Sequence, residues 1–424
     1  MKFVLTAYGS RGDVEPAVVV GRELLARGHD VQMAVPPNLV KLAEKVGIEA
    51  IPYGLDSQAL FETQRRYWTC FFRNPWRMKE LDRLGRDIGD FLARCWTEET
   101  TRALRSLAEG ADLVIAGVGF EQFAANVAEF YGIPLATLHY FPLRANGQVL
   151  PLLPAPLGRR ALTAYERLSW SGPIKEAEDA QRRELGLAKA TCPWPERIAD
   201  RGALEIQAYD ELVFPGVAAE WAKWGSQRPF VGMLTLGLQT DVDEEVSAWI
   251  AEGTPPIFFG FGSISVGSAA DTLVMISAAC AELGERALVC SGWTDFGDLP
   301  QFDHVKVVPA VNYATIFPQC RAVVHHGGAG SVAAGLRAGM PTLILWTFPD
   351  QPVSGTAIKR LHVGTARRFS TTTRKTLVGD LRRVLAPEYA ARAGGIAARM
   401  STPAQSAAAA TDLVEDFAGL QRVG

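Results

Sequence analysis

The chain has 424 residues, 48% of them hydrophobic and 21% charged, which is too long for one ordinary core and suits two domains of roughly 200 residues each. A net charge of −3 suggests neither a footprint for nucleic acid nor a membrane-surface patch, and no apolar run nears the roughly 20 residues of a membrane helix, so a soluble cytoplasmic enzyme is expected. The six cysteines show neither CxxC spacing nor histidine pairing suited to zinc, and read as free thiols in a reducing compartment.

The first strand is "KFVLTA"; Arg11 and Asp13 interrupt the N-terminal run too early for a signal peptide. A glycine-bearing turn follows, "GSRGDVEP" (Gly9 to Pro16), then the helix "AVVVGRELLAR", which Gly28 can end in a left-handed cap. A strand–turn–helix of this kind usually cradles phosphate, yet Asp13 would repel one. "DVQMAV", "ADLVIAG" and "IPLATLH" continue as short buried parallel strands. Residues 54–100, rich in aromatics and arginines and without a clear period, form either an excursion over a pocket or a helix pair on domain one. "PLLPAPLG" (Pro151 to Gly158) reads as a proline-rich loop, Tyr165 to Ala188 as a charged helical stretch, and the segment from Leu212 to Leu234 as an irregular connection. From residue 256 the rhythm restarts with "PIFFGFGS", "RALVCSG", "VKVVPA", "RAVVHH" and "PTLILW", with helices at Asp271–Leu283 and Ser331–Ala338 among them. Alternating elements of this kind make parallel sheets covered by helices on both faces. The expected organisation is an N-terminal Rossmann-like domain over 1–220, a linker over 221–245, a second Rossmann-like domain over 246–400, and a final helix over 401–424 able to cross back to the first domain.

The strongest chemical signal is "HHGGAGS". A strand ends at His325–His326, glycines follow, and Ser331 opens a helix. Glycines let backbone N–H groups approach an anion, and a helix N-terminus carries roughly half a positive charge, so a diphosphate suits this turn. The alternative is a tight strand-to-helix turn with packed histidines. The turn is not GxGxxG, although Asp350 lies 20 residues beyond Gly330, near the distance of a ribose-binding acid. Paired with Gln351 at a strand end, Asp350 suits a polyhydroxylated ligand better than one ribose. A second glycine turn, Phe259–Gly267, places Gly262 and Ser263 at the end of another strand of the same domain.

The order "GSRGDVEP", "FGFGS", "SGW", "HHGGAGS", "PDQP" resembles family 1 glycosyltransferases of the α/β GT-B fold, two Rossmann-like domains with parallel sheets facing across a cleft. The nearest branch is bacterial, that of the vancomycin-type antibiotic glycosyltransferases, with sterol and glycolipid glucosyltransferases as relatives. The resemblance covers both domains but not residues 54–110 or 143–215. It implies that the second domain holds a nucleoside-diphosphate sugar and the first an acceptor. It implies diphosphate contacts from His326, Gly328, Ala329, Gly330, Ser331 and Ser263, and donor-sugar contacts from Asp350 and Gln351. The base would lie near Val311, Asn312 and Trp293, although Trp293 also reads as a structural tryptophan. Plant members carry a ribose-binding glutamate eight residues after the phosphate histidine; Ala334 stands there in this chain, so the ribose contact and the choice between uridine and thymidine stay open.

Sugar transfer needs a base for the acceptor hydroxyl and stabilisation of the leaving diphosphate. The resemblance places Asp13 as that base, a role compatible with capping the following helix, and implies one direct displacement that inverts the anomeric centre. "DVD" (Asp241 to Asp243) matches a metal-binding DxD, but sits in a polar stretch that reads as a helix N-terminus, so no metal is expected and a UDP- or dTDP-sugar is the only co-substrate. Ser10, Arg11, His139, Trp68 and Phe71 are the candidate acceptor pocket for a hydrophobic small molecule or lipid, with peripheral membrane contact open and nucleic acid excluded. A nucleotide-sugar 2-epimerase of the same fold and a non-catalytic nucleotide-sugar-binding protein are the alternatives.

Overall fold

The computed structural model describes residues 1–150, 153–262, 268–294 and 300–423, with side chains to residue 420. Contacts group the chain into two units. One comprises Met1–Thr63, Asp82–Leu236 and Ser401–Gly424; the other comprises Gln64–Leu81 and Gly237–Met400.

The first unit is built on a parallel sheet of β1 (Lys2–Thr6), β2 (Asp30–Val35), β3 (Glu49–Pro52), β4 (Leu113–Gly117), β5 (Leu135–His139) and β6 (Leu204–Gln207), in the order β3-β2-β1-β4-β5-β6. Every residue of β4 and β5 is buried, as apolar runs covered by helices on both faces require. The second unit repeats this plan with β7 (Ile257–Gly260), β8 (Ala287–Cys290), β9 (Val305–Val308), β10 (Ala322–His325), β11 (Thr342–Trp346) and β12 (Gly364–Arg368), in the order β12-β11-β10-β7-β8-β9. Counted from its own first strand, each sheet runs 3-2-1-4-5-6, the doubly wound order. Strand order reverses between β1 and β4 in one unit and between β7 and β10 in the other. Ligands of such sheets gather beyond the carboxyl ends of strands at that reversal.

The final helix, Pro403–Val423, belongs to the first unit and packs on the helix Arg11–Ala26. Arg27 reaches Asp412 at 2.7 Å and Glu415 at 2.5 Å, and His29 Nε2 lies 2.5 Å from Glu415.

Several local readings change. The helix expected to follow Pro16 begins at Arg11, so Asp13 stands inside its first turn. Pro16, inside this helix, has no N–H to donate to the carbonyl four residues earlier. The loop over Pro151 to Gly158 is cut short, because a helix runs Ala155–Ser169 with Pro154 before it and Pro156 in its first turn, where the missing N–H has no partner to lose. The stretch read as one charged helix is two, Ala155–Ser169 and Gly172–Glu184. Residues 54–100 form the helices Ser57–Arg73 and Met78–Cys95, whose joined ends, Gln64–Leu81, group with the second unit. All six cysteines are free.

Candidate active site

In the second unit, β10 pairs with β7 so that His325 stands opposite Gly260, which brings the turns after both strands together. The two histidines do different work. His325 is buried, and its Nδ1 accepts the N–H of Gly327 at 3.0 Å, which assigns the proton to Nε2 and ties the turn to the strand. Burial, reinforced by the neighbouring His326, pushes its pKa down to about 3.

His326 projects into the turn itself. A Cβ on Gly262 would lie 2.7 Å from its Cε1, and a Cβ on Gly328 would lie 2.4 Å from its Nε2. Two glycines, one from each turn, thus make room for the ring, and Gly262 also holds a left-handed φ of +60°. The Nδ1 of His326 is enclosed without a hydrogen-bond partner among the described residues. Burial pushes its pKa down to about 4, so the ring is neutral at neutral pH. Immediately beyond, Gly328 precedes the helix Ala329–Arg337, and Ala329, Gly330 and Ser331 occupy its partly exposed first turn. Ser263 lies outside the described residues.

Neighbouring strand ends add the rest. The N–H of Trp293 donates to the carbonyl of Gly262 at 3.2 Å, which joins the turn after β8 to the one after β7. Val311 and Asn312 are buried beyond β9; the Asn312 side chain caps the next short helix through Ala314 N at 3.1 Å. Asp350 is exposed after β11. Gln351 is not free in the way a pure ligand residue would be: buried, its Oε1 accepts the N–H groups of Thr347 at 2.8 Å and Phe348 at 3.0 Å, which sets the shape of the loop carrying Asp350. Asp243 is similarly committed, accepting from Thr240 N at 2.7 Å, Thr240 Oγ1 at 2.8 Å and Asn312 N at 2.9 Å. It stands in the first turn of the helix Asp243–Ala251. No group of three or more His, Cys, Asp or Glu residues able to hold a metal occurs among the described residues.

In the first unit, the turn after β1 presents Asp13. Its Oδ2 accepts the backbone N–H of Ser10 at 2.5 Å and the Ser10 hydroxyl at 2.7 Å, closing the start of the helix. Its Oδ1 accepts the hydroxyl of Tyr140, a residue not singled out from the sequence as a site residue, which follows β5 directly. Gly9 is required here: its φ is +143°, and a Cβ would come within 2.4 Å of Asp13 Oδ2. Burial pushes the Asp13 pKa upward, while the bonds from Tyr140 and Ser10 pull against it; the net direction is up. Arg11, exposed, pairs with Glu15 at 3.0 Å. Phe120, also unforeseen, holds a left-handed φ of 69° after β4 and lies against Tyr8 and Trp96, with ring centroids 4.5 and 4.3 Å away. A left-handed non-glycine residue costs about 1–3 kcal/mol, which packing must offset.

Three expected pocket residues lie elsewhere. His139 is fully buried: its Nε2 is 3.2 Å from Glu121, within a charged network that also holds Arg144, Glu205 and Arg228. It ends β5 with its side chain held in that buried network, whereas Tyr140, the next residue, reaches Asp13. Trp68 and Phe71 belong to the second unit. Trp68 stacks on Phe72 at 5.9 Å, and Phe72 meets Trp346 at the end of β11 edge-on at 5.4 Å. The guanidinium of Arg368 lies 5.7 Å from the Phe72 ring and 5.8 Å from that of Trp346. Through Phe72, the aromatics of this segment therefore meet Trp346 and Arg368 of the second unit.

Comparison with known proteins agrees with these two halves. Residues 3–95 match the glycosyltransferase family 28 N-terminal domain, and residues 287–418 match the C-terminal domain described as erythromycin biosynthesis protein CIII-like. An uncharacterised glycosyltransferase of Mycobacterium tuberculosis (strain H37Rv) is 55% identical over 421 residues, covering 99% of each chain. The chain belongs to the glycosyltransferases of GT-B fold. The enzyme is also 28% identical to the glycosyltransferase GtfE of Amycolatopsis orientalis over 98% of this chain and 97% of that one. Among solved structures, the glycosyltransferase of kitacinnamycin superposes with a TM-score of 0.70 at 18% identity, covering 98% of each chain. The glycosyltransferase VinC in complex with dTDP superposes with a TM-score of 0.65 at 19% identity, covering all of both chains.

Proposed function

We propose that the enzyme transfers a sugar from a UDP- or dTDP-sugar to a hydroxyl of a hydrophobic acceptor, by a single inverting displacement and without a metal. The observation that carries this reading is the seating of His326 between Gly262 and Gly328, at the strand-order reversal of the second unit and at the start of the helix Ala329–Arg337. A neutral imidazole there donates one hydrogen bond, so the helix N-terminus supplies the compensating positive charge for a diphosphate. A bound dTDP in VinC, a relative in fold, supports the choice of ligand class. Asp350 and Gln351 take the sugar hydroxyls, and the base lies against Val311, Asn312 and Trp293.

In the first unit, Asp13 accepts the acceptor's proton. The acceptor oxygen bonds to the anomeric carbon while the carbon–oxygen bond to the diphosphate breaks on the opposite face, and the electron pair leaves with the diphosphate. An upward-shifted carboxyl is the stronger base, and proton transfer of this kind contributes about 10²–10⁴-fold in rate.

The test separates donor and acceptor roles. His326→Ala is expected to weaken calorimetric binding of UDP or dTDP; unchanged affinity would remove the histidine from the donor site. Asp13→Asn is expected to lose turnover while keeping nucleotide affinity. Turnover abolished by EDTA and restored by Mn²⁺ would replace the metal-free reading.

A further inference from the structure

The helix Ala155–Ser169 carries its apolar side chains outward. At 100° per residue, Leu157, Ala161, Ala164, Tyr165 and Leu168 fall on one stripe, the i, i+4, i+7, i+8, i+11 pattern of a helix face that is normally buried. In this chain the stripe is exposed: Leu157 by 50%, Tyr165 by 67% and Leu168 by 73%. Beside it runs a second exposed stripe with Arg160 and Arg167. Arg159 is neutralised by Glu220 at 2.6 Å, whereas neither Arg160 nor Arg167 meets a carboxylate among the described residues. The helix's own acid, Glu166, is turned inward and accepts the N–H of Ala145 at 2.8 Å. The exposed surface is thus leucine and tyrosine alongside unneutralised arginine, without an acid.

We infer that this helix docks the enzyme on an anionic phospholipid surface, with Leu157, Tyr165 and Leu168 entering the headgroup–acyl boundary and Arg160 and Arg167 meeting lipid phosphates. An interfacial helix has this division of side chains, and its affinity combines buried apolar area with attraction to anionic lipid. A second copy of the chain is a poorer occupant. A two-fold contact would set the arginine-flanked stripe against itself, with no acid on the face to receive the positive charges. The final helix of the chain cannot cover it either, because Pro403–Val423 is held on the helix Arg11–Ala26 by Arg27 and His29. This surface is independent of the donor and base assignments; it says where the enzyme works rather than what it transfers.

Sedimentation of the full chain with vesicles of phosphatidylcholine, with and without phosphatidylglycerol, tests the inference. The enzyme is expected to sediment with phosphatidylglycerol-containing vesicles, far less with phosphatidylcholine alone, and to be released by salt. Arg160→Gln with Arg167→Gln should lower the partition coefficient roughly 30-fold. Leu157→Ser with Leu168→Ser should abolish sedimentation even at low salt. All four side chains are exposed, so both variants should melt as the parent does; salt release of the parent gives a reading that needs no variant. No sedimentation with either vesicle, equal sedimentation with both, or binding untouched by both double substitutions would overturn the inference. So would a concentration-dependent dimer, seen by ultracentrifugation without lipid, that the leucine substitutions dissolve.

Discussion

The hydroxyl of Tyr140 donates a hydrogen bond to Oδ1 of Asp13, across 127 residues of chain. With Ser10 holding Oδ2 through its N–H and hydroxyl, both carboxylate oxygens are oriented from fixed elements, the helix start and the end of β5. Burial raises the Asp13 pKa, and Tyr140 is the largest of the contributions that lower it. Removing that donor, as in Tyr140→Phe, should move the carboxyl pKa further upward. If Asp13 is the base proposed above, it acts deprotonated, so the acidic limb of kcat/KM should shift to higher pH. Loss of one hydrogen bond to a charged group should cut kcat/KM about tenfold, against about 10²–10⁴-fold for Asp13→Asn. Carbon-13 NMR of the Asp13 carboxyl reads the titration directly, and an unmoved pKa in Tyr140→Phe would reduce the tyrosine to packing.

Gly328→Ala and Gly262→Ala each place a Cβ against the His326 ring, at 2.4 and 2.7 Å from its nearest atoms. Real side chains do not approach so closely, so the imidazole must swing out of its seat. Nucleotide affinity should fall by roughly tenfold or more in either variant, measured by calorimetry with UDP and dTDP. Affinity equal to the parent's would show that the ring's seat is not part of the donor site.

His325 and His326 are held neutral by burial, with folded pKa values of about 3 and about 4. In the unfolded chain an imidazole titrates near 6.5, so between those values the unfolded state binds more protons than the folded one. Stability from this source is fully present above about pH 6.5 and is lost as pH falls toward 4. Each tenfold difference in proton affinity between the two states corresponds to about 1.4 kcal/mol. Urea unfolding at pH 7 and pH 5 should show this loss in the parent and a smaller one in His326→Ala. An identical pH slope in both would contradict the buried-neutral assignment.

Arg144 bonds Glu121 at 2.6 Å and also Glu205, and Arg228 reaches Glu205 at 3.0 Å, all of them buried. Burial pushes the Glu121 carboxyl up, but the charge of Arg144 and its bonds with His139 and Arg144 outweigh this and hold it at about 2. Arg144→Met leaves two buried carboxylates short of a partner and should cost about 3–5 kcal/mol in urea unfolding. A loss under about 1 kcal/mol would mean that water or rearrangement already compensates the charges.

Strands made largely of apolar residues, such as β4, β5, β7 and β10, were legible because a buried parallel strand needs little other signal. β3, β6 and β12 were not. β6 buries Glu205 and Gln207, whose polarity argues against a core strand until Arg144 and Arg228 are placed beside them. β3 and β12 are partly exposed edges with weak patterns. The glycine turn after β10 was legible for a different reason: glycines, histidines and a helix start lie consecutively in the chain.

By itself, the sequence determined what is local: two blocks of alternating strands and helices, the glycine turn after β10, and a carboxylate in the turn after β1. Each follows from periodicity or from residue types within one strand–turn–helix, where neighbours in sequence are neighbours in space. Only the tertiary structure decided that His325 faces the core while His326 fills a gap left by glycines of two turns. It also decided that His139 is an ionic core residue while Tyr140 orients Asp13, and that Trp68 and Phe71 join the second unit. Each of the two adjacent pairs, His325–His326 and His139–Tyr140, straddles the end of a strand, and which of the two side chains is enclosed depends on elements distant in the chain. No local pattern carries that information, so the partners of these side chains appear only when the sheets are assembled.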